Sequence, residues 1–242
     1  MKEHPGCGTV LARLLNHRGL AAHELADRAA VPADELDAVL LGTPPTQTLL
    51  RRLAPALGLH TVDLVVLAGH PVPEDLTPLD PEAERWVDGL ISDAWRLPAA
   101  QRRDLLEQAR ALPQQDRRSA FAPRRVAPLF DGPGSWPVRM LQYRNLSWSG
   151  MARVLAVTTP TYLSASTYGV IGSGRKNLTS RLVTDFAAVL GLDAGELAAV
   201  TGVAMRQPPP PPTPATTDTA ALLWECRRLS AEQVRGLAQR GR

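Results

Sequence analysis

The chain has 242 residues, 44% hydrophobic and 5% aromatic, enough for two small domains whose cores must be aliphatic. No stretch approaches the roughly 18 apolar residues of a membrane span, and no charged segment leads into an apolar run at the N-terminus. Cys7 and Cys226 form no framework of spaced cysteines, so membrane insertion, secretion and a disulfide scaffold are disfavoured and a reducing cytoplasm is expected. The net charge of +3 hides an asymmetry, because residues 1–113 carry 11 basic and 16 acidic side chains whereas residues 114–242 carry 16 and 8. The two halves should meet polyanions differently.

In chain order, Val10, Leu11, Leu14 and Leu15 follow helical spacing over Gly8–Arg18, and Gly19 closes that helix. A short helix is expected over Ala22–Ala29, and a third runs from Val31-Pro32 to near Leu41, with Gly42 and Pro44-Pro45 behind it. Leu49, Leu50, Leu53 and Leu57 make the apolar stripe of a fourth helix ended by Gly58, and Val62–Leu67 make a fifth. A Pro-rich spacer then reaches Pro81. Beyond it Trp86, Val87, Leu90 and Ile91 share one stripe of a helix over Glu82–Ala94, and Pro98 starts another that runs to about Leu112. This helical hairpin must bury its stripe elsewhere, since two helices alone cannot enclose Trp86 and Trp95. Residues 114–135 carry Pro, Gly and Arg with little periodic apolar character and read as a linker.

The densest signals lie in Leu146–Leu192. Ser147 can cap a helix over Ser149–Ala156, and Thr159-Pro160 is a cap followed by the residue best tolerated at the first helical position. The next helix carries small and hydroxyl side chains, among them Thr161, Tyr162, Ser164, Ser166 and Gly169, and ends in Gly172-Ser173-Gly174. Two registers are open: Thr159 caps a helix of about thirteen residues, or Ser164 caps a shorter one after a long turn. Both expose Ser166 and Gly169 and bury Tyr168 and Ile171; Tyr162 depends on the register. Short hydroxyl and methyl-sized groups suit close approach to base edges, and Arg175, Lys176 and Asn177 follow the helix where a backbone phosphate would sit.

An internal repeat organises the whole chain. RGLAAHELADRAAV, starting at Arg18, aligns with RNLSWSGMARVLAV, starting at Arg144, at a spacing of 126 residues. LAPALGLHTVDLVVLAG aligns with FAAVLGLDAGELAAVTG at a spacing of 133, and RLPAAQ at Arg96 has a counterpart RLSAEQ at Arg228. The seven extra residues fall in or beside the helix that carries Ser166. Each copy is thus five helices, a Pro-rich spacer and a helix pair, with Pro208–Pro212 a stiff extended second spacer. The expected division is 8–70, a hairpin at 80–113, a linker at 114–135, a second five-helix unit at 136–203, a Pro-rich linker at 204–218 and a C-terminal hairpin at 219–242.

Leu146-Ser147, Met151-Ala152, the run STYGVIGSGRKNLTS ending at Ser180, and FAAVLGL ending at Leu192 together resemble the lambda-repressor-like (xenobiotic-response-element type) helix-turn-helix regulators, in the form common in actinobacteria. The resemblance implies an all-α fold of two lambda-repressor-like five-helix domains and a transcriptional regulator that contacts the major groove of double-stranded DNA. A homodimer is expected as well, and a dimer's operator should be a pseudo-palindrome with half-sites about one helical turn apart. The contact residues the resemblance carries onto the second unit are Ser147, Trp148, Thr161, Tyr162, Ser164, Ser166, Gly169, Arg175, Lys176 and Asn177, with Trp148 standing where the family usually has a DNA-touching Gln. The first unit departs from the pattern. It has Ala21 and Ala22 at the cap and Gln positions, and its corresponding helix reads PADELDAVLLG, so Asp34, Glu35 and Asp37 would repel phosphates. That acidic face points to a protein contact instead.

Other chemistries find no residue set. The histidines (His4, His17, His23, His60, His70) lack metal-ligand spacing, although His4 is close to Cys7. Gly169–Gly174 lacks the GxxxxGK[ST] spacing of a phosphate-cradling loop, and no nucleophile-elbow motif is present. Neither enzyme activity nor a cofactor is expected. The rival reading is a protein-interaction adaptor built from helix-turn-helix folds, which predicts positive charge scattered over the second unit rather than gathered beside the Ser166 helix.

Overall fold

In the computed structural model, residues 5–123 and 133–240 are described, and among them the chain is all helical, with no strand. His4 and the 124–132 part of the expected linker lie outside the described residues. No described helix is long and apolar enough to cross a membrane.

The first five helices are α1 (Cys7–Arg18), α2 (Ala22–Ala29), α3 (Ala33–Leu40), α4 (Gln47–Ala56) and α5 (Thr61–Leu67). Val10, Leu11, Leu14 and Leu15 put the apolar stripe of α1 inside, and Gly19 ends it at φ 59°, its N–H returning to the last carbonyls. Thr46 caps α4 by accepting from the Leu49 amide. After α6 (Glu84–Arg96) and α7 (Ala99–Ala111), the pattern repeats as α8 (Ser135–Gln142), α9 (Trp148–Thr158), α10 (Ala165–Gly172), α11 (Ser180–Leu190) and α12 (Ala194–Thr201). The chain ends in α13 (Pro214–Cys226) and α14 (Ala231–Arg240). The α2–α3, α2–α4 and α4–α5 packings recur as α9–α10, α9–α11 and α11–α12. Asn145 takes φ 62° where the first copy has Gly19, a left-handed position that asparagine tolerates.

The copies are not separate bodies, because one apolar cluster runs through both. Helix α1 packs on α12 and α5 on α8, a reciprocal arrangement. Leu14, Leu59 and Leu67 line one narrow cleft along this seam together with their repeat counterparts Met140, Leu192 and Val200. Two ion pairs flank it at equivalent positions. Arg18 donates to Glu196 at 2.6 and 2.8 Å, and Arg144 donates to Asp63 at 2.6 and 2.7 Å. Arg144 follows Arg18 by 126 residues and Glu196 follows Asp63 by 133, the two repeat spacings.

The expectation of two helical hairpins needs correction. Helices α6 and α7 touch little; α7 lies along α13 and α14 along α6, so each pair gives its second helix to the other pair's first. Val87, Leu90 and Ile91 of the α6 stripe are buried, whereas Trp86, expected on the same stripe, stays 38% exposed; Arg102 of α7 reaches Asp218 of α13 at 3.0 Å. The assembly leans mainly on the second set, α6 on α9 and α13 on α11, and touches the first set where Trp224 of α13 meets His60. The first spacer is also a packed segment. It holds short 3-10 turns at Glu74–Leu76 and Pro81–Ala83, and the Leu79 amide donates to the Arg227 carbonyl at 2.7 Å. Arg117, in the expected linker, donates to the Pro78 carbonyl at 2.6 Å and the Glu74 carbonyl at 3.0 Å.

Trp224 of α13 fills the junction of spacer, first set and second set. Its ring stacks on His60 with centroids 3.3 Å apart, and the guanidinium carbons of Arg144 and Arg227 lie 4.6 and 4.2 Å from its centroid. Burial, and then the charge of Arg144, push the His60 imidazole from 6.5 down to about 4. The unfolded chain therefore takes up this proton before the folded chain does, and stability, full above pH 6.5, falls as the pH drops towards about 4. Urea midpoints should decline over that window, and the decline should be shallower in His60→Gln; parallel curves would assign the loss to other groups. Burial also pushes the thiols of Cys7 and Cys226 up to about 12, so neither is a nucleophile at neutral pH.

Candidate nucleic-acid interface

Ser147 caps α9, its Oγ accepting from the Gly150 amide at 3.1 Å. Trp148, beside it, is half-buried against the apolar cluster. Helix α9 runs on to Thr158, so Thr159 ends a helix instead of starting one: its hydroxyl donates to the Leu155 carbonyl at 2.7 Å. The shorter of the two registers is the one found. Residues 159–164 form a turn, and α10 begins at Ala165.

This register decides where the expected contact residues go. Thr161 is buried and donates its hydroxyl to Asp185 of α11, so it is not on the exposed face. Burial raises the Asp185 carboxyl above its ordinary range, opposed by the Thr161 hydrogen bond and by Arg181. Tyr162, next in the turn, is 89% exposed. Ser164 stands at the cap position, but its hydroxyl meets Ser166 Oγ at 3.1 Å and Thr167 Oγ1 at 2.9 Å instead of a backbone amide. Ser164 and Ser166 are exposed, and Gly169 faces open space, with no atom within 4 Å of where a Cβ would stand. The inward side of α10 is Tyr168 and Ile171, both fully buried, with Tyr168 edge-on to Phe186 at 6.2 Å.

After α10 the chain turns at Gly174, whose φ of 70° needs a residue without Cβ strain, and the Arg175 amide returns to the Val170 carbonyl at 3.1 Å. Arg175, Lys176 and Asn177 are exposed, and Arg175 Nε donates to Ser173 Oγ at 3.0 Å. Two further cations, not singled out in the sequence, lie on the neighbouring helices. Arg181, at the start of α11, donates to the Pro160 carbonyl in the turn before α10, and Arg153 of α9 lies 3.5 Å from Asp88 of α6. One signal was available: no Asp or Glu occurs between Asp131 and Asp185, and Asp185 is buried. Among the described residues α10 and its own flanking segments therefore carry hydroxyls, an aromatic ring and positive charge without an exposed carboxylate, and the nearby Asp88 of α6 is paired with Arg153. On the equivalent α3, Asp34 and Asp37 are exposed, Glu35 is half-buried and Leu41 is 89% exposed just beyond the end.

Among the described residues no group of three or more His, Cys, Asp or Glu is arranged to hold a metal ion. Comparison with protein-family models, curated proteins and solved structures returns no match to this chain.

Proposed function

We propose that the chain is a sequence-specific DNA-binding transcriptional regulator in which α9 and α10 form a helix-turn-helix and α10 enters the major groove. The observation that carries this reading is the exposed face of α10 and of the turn before it. Tyr162, Ser166 and Gly169 leave room for base edges, and Arg175, Lys176 and Arg181 lie at its two ends with no carboxylate between them. Positive charge gathered this way is what the adaptor reading does not predict. The first set, with Asp34 and Asp37 on α3, makes a protein contact in this scheme.

The test is selection of genomic fragments by the full chain, with affinity titrated over salt. Specific binding should yield a short motif and a steep salt slope. Arg175→Ala with Lys176→Ala should weaken binding to all sequences alike and lower the slope by about 2, about 1 per lost phosphate contact. Changing Ser166 should instead alter preference at one base pair. An unchanged slope in the double variant removes the loop from the contact set.

A second reading, an adaptor without DNA binding, draws on α6. It lies along α9 and brings the Asp88 Cβ to 3.5 Å from where a Cβ on Gly150 would stand, setting a carboxylate near the helix start that faces phosphate in a helix-turn-helix. Weak, salt-insensitive binding with no motif would favour it.

A further inference from the structure

The seam between the two sets has the form of an isologous dimer interface contained in one chain. An isologous contact requires that if residue i of one copy meets residue j of the other, then j meets i. Arg18 of the first copy meets Glu196 of the second, and Arg144 of the second, the counterpart of Arg18, meets Asp63 of the first, the counterpart of Glu196. Helix α1 on α12 is mirrored by α5 on α8, and α7 on α13 by α14 on α6. The surfaces through which two copies of such a unit would pair are therefore already occupied. Little apolar surface remains for a second pairing: among the described residues the large hydrophobic side chains left exposed are Leu41, Trp86 and Tyr162, on three separate segments. A stable symmetric dimer needs roughly 800 Å² from each partner, and Leu41, Trp86 and Tyr162 are single side chains on different segments.

Only one half of this internal pair carries a face suited to DNA. The approximate two-fold relates α10 to α3, and α3 presents Asp34 and Asp37 where α10 presents Ser166 and Gly169. Phosphates that meet both copies would be attracted at Arg175 and Lys176 behind α10 and repelled at α3.

We infer that the protein acts as a single chain whose repeats pair with each other, and that it occupies one non-palindromic half-site on duplex DNA. The second part rests on the proposed function; the first does not. In place of the homodimer expected from the sequence, with its pseudo-palindromic operator, the partner is an asymmetric duplex element of roughly one helical turn, read by α10 alone.

The experiment uses the full wild-type chain. Light scattering should give the mass of one chain, 26.1 kDa, across the concentration range of the binding assay, and again one chain per bound duplex. Hydroxyl-radical footprinting of selected fragments should protect a single half-site, and the recovered motif should lack an inverted repeat. Two chains per duplex on an inverted repeat would overturn the inference and leave the proposed function standing. A single-chain mass with no binding to any duplex would overturn the proposed function and the single-site part together, and would uphold the intra-chain pairing.

Discussion

Replacing Arg144 with alanine is expected to destabilise the chain by about 3–5 kcal/mol, the cost of leaving a buried carboxylate without its partner. Asp63 is fully buried and receives both Nη atoms of Arg144, itself 1% exposed. Without the guanidinium that carboxylate loses both Nη donors, and the ring of Trp224 loses one of the two cations stacked on it. The same substitution in the equivalent pair should be far milder. Arg18 and Glu196 keep side-chain exposures of 24% and 20%, so water replaces the lost partner, and Arg18→Ala should cost about 1 kcal/mol. Urea denaturation of the two single variants checks the contrast, and equal losses would sink it. The combined change Arg144→Met with Asp63→Leu should recover most of the single-variant loss, because a buried ion pair adds little over an apolar pair of similar volume.

Gly134→Ala is expected to damage both stability and the α10 surface. A Cβ there would stand 2.5 Å from the carbonyl oxygen of Ile171 and 3.0 Å from its Cγ2, and the first obstacle is backbone, which cannot rotate away. The start of α8 and the end of α10 must separate, at a cost of about 1–3 kcal/mol. Gly8, the counterpart 126 residues earlier, is equally tight, with the Val39 carbonyl oxygen 2.3 Å from its would-be Cβ. Gly8→Ala should therefore lower stability about as much, yet disturb only α3. Under the proposed function, Gly134→Ala loses DNA affinity beyond what unfolding explains and Gly8→Ala does not. Thermal denaturation with binding measured well below the transition separates the two, and equal affinity losses would count against α10 as the reading helix. Gly169→Ala is the control for the helix itself. With open space before it, the methyl should stabilise α10 by roughly 0.5–1 kcal/mol, and any loss of binding would come from its bulk in the groove.

The elements most legible in the sequence are those with local causes. Val10, Leu11, Leu14 and Leu15 followed by Gly19 mark α1, and Ser147 marks the start of α9, because helical periodicity, caps and left-handed stops act within a few residues. The exposed part of the candidate interface was legible for the same reason: Ser166 and Gly169 face outward, and Tyr168 and Ile171 inward, in either register. Thr161 was misjudged because its partner, Asp185, lies 24 residues away on another helix, and no local pattern announces that hydrogen bond. Thr159-Pro160 reads as a helix start, yet the Thr159 hydroxyl closes the preceding helix, so the same two residues fit both roles until α9 has its length.

By itself the sequence determined the helical class, the duplication and the contrast between the carboxylates of α3 and the uncharged α10 with Arg175 and Lys176 behind it, since these follow from composition, from spacing and from which side chains occur. Tertiary structure decided the rest. The repeats show that Arg18 and Arg144 are equivalent, as are Asp63 and Glu196, but each arginine has a candidate acid in its own copy as well as in the other. The pairing is across copies because burial of the α1, α5, α8 and α12 stripes brings those faces together. The exchange of α7 and α14 has the same origin. A two-helix stripe carries no mark of which partner will cover it, and the choice is made by apolar surfaces more than 100 residues apart in the chain that exclude water only when packed on each other.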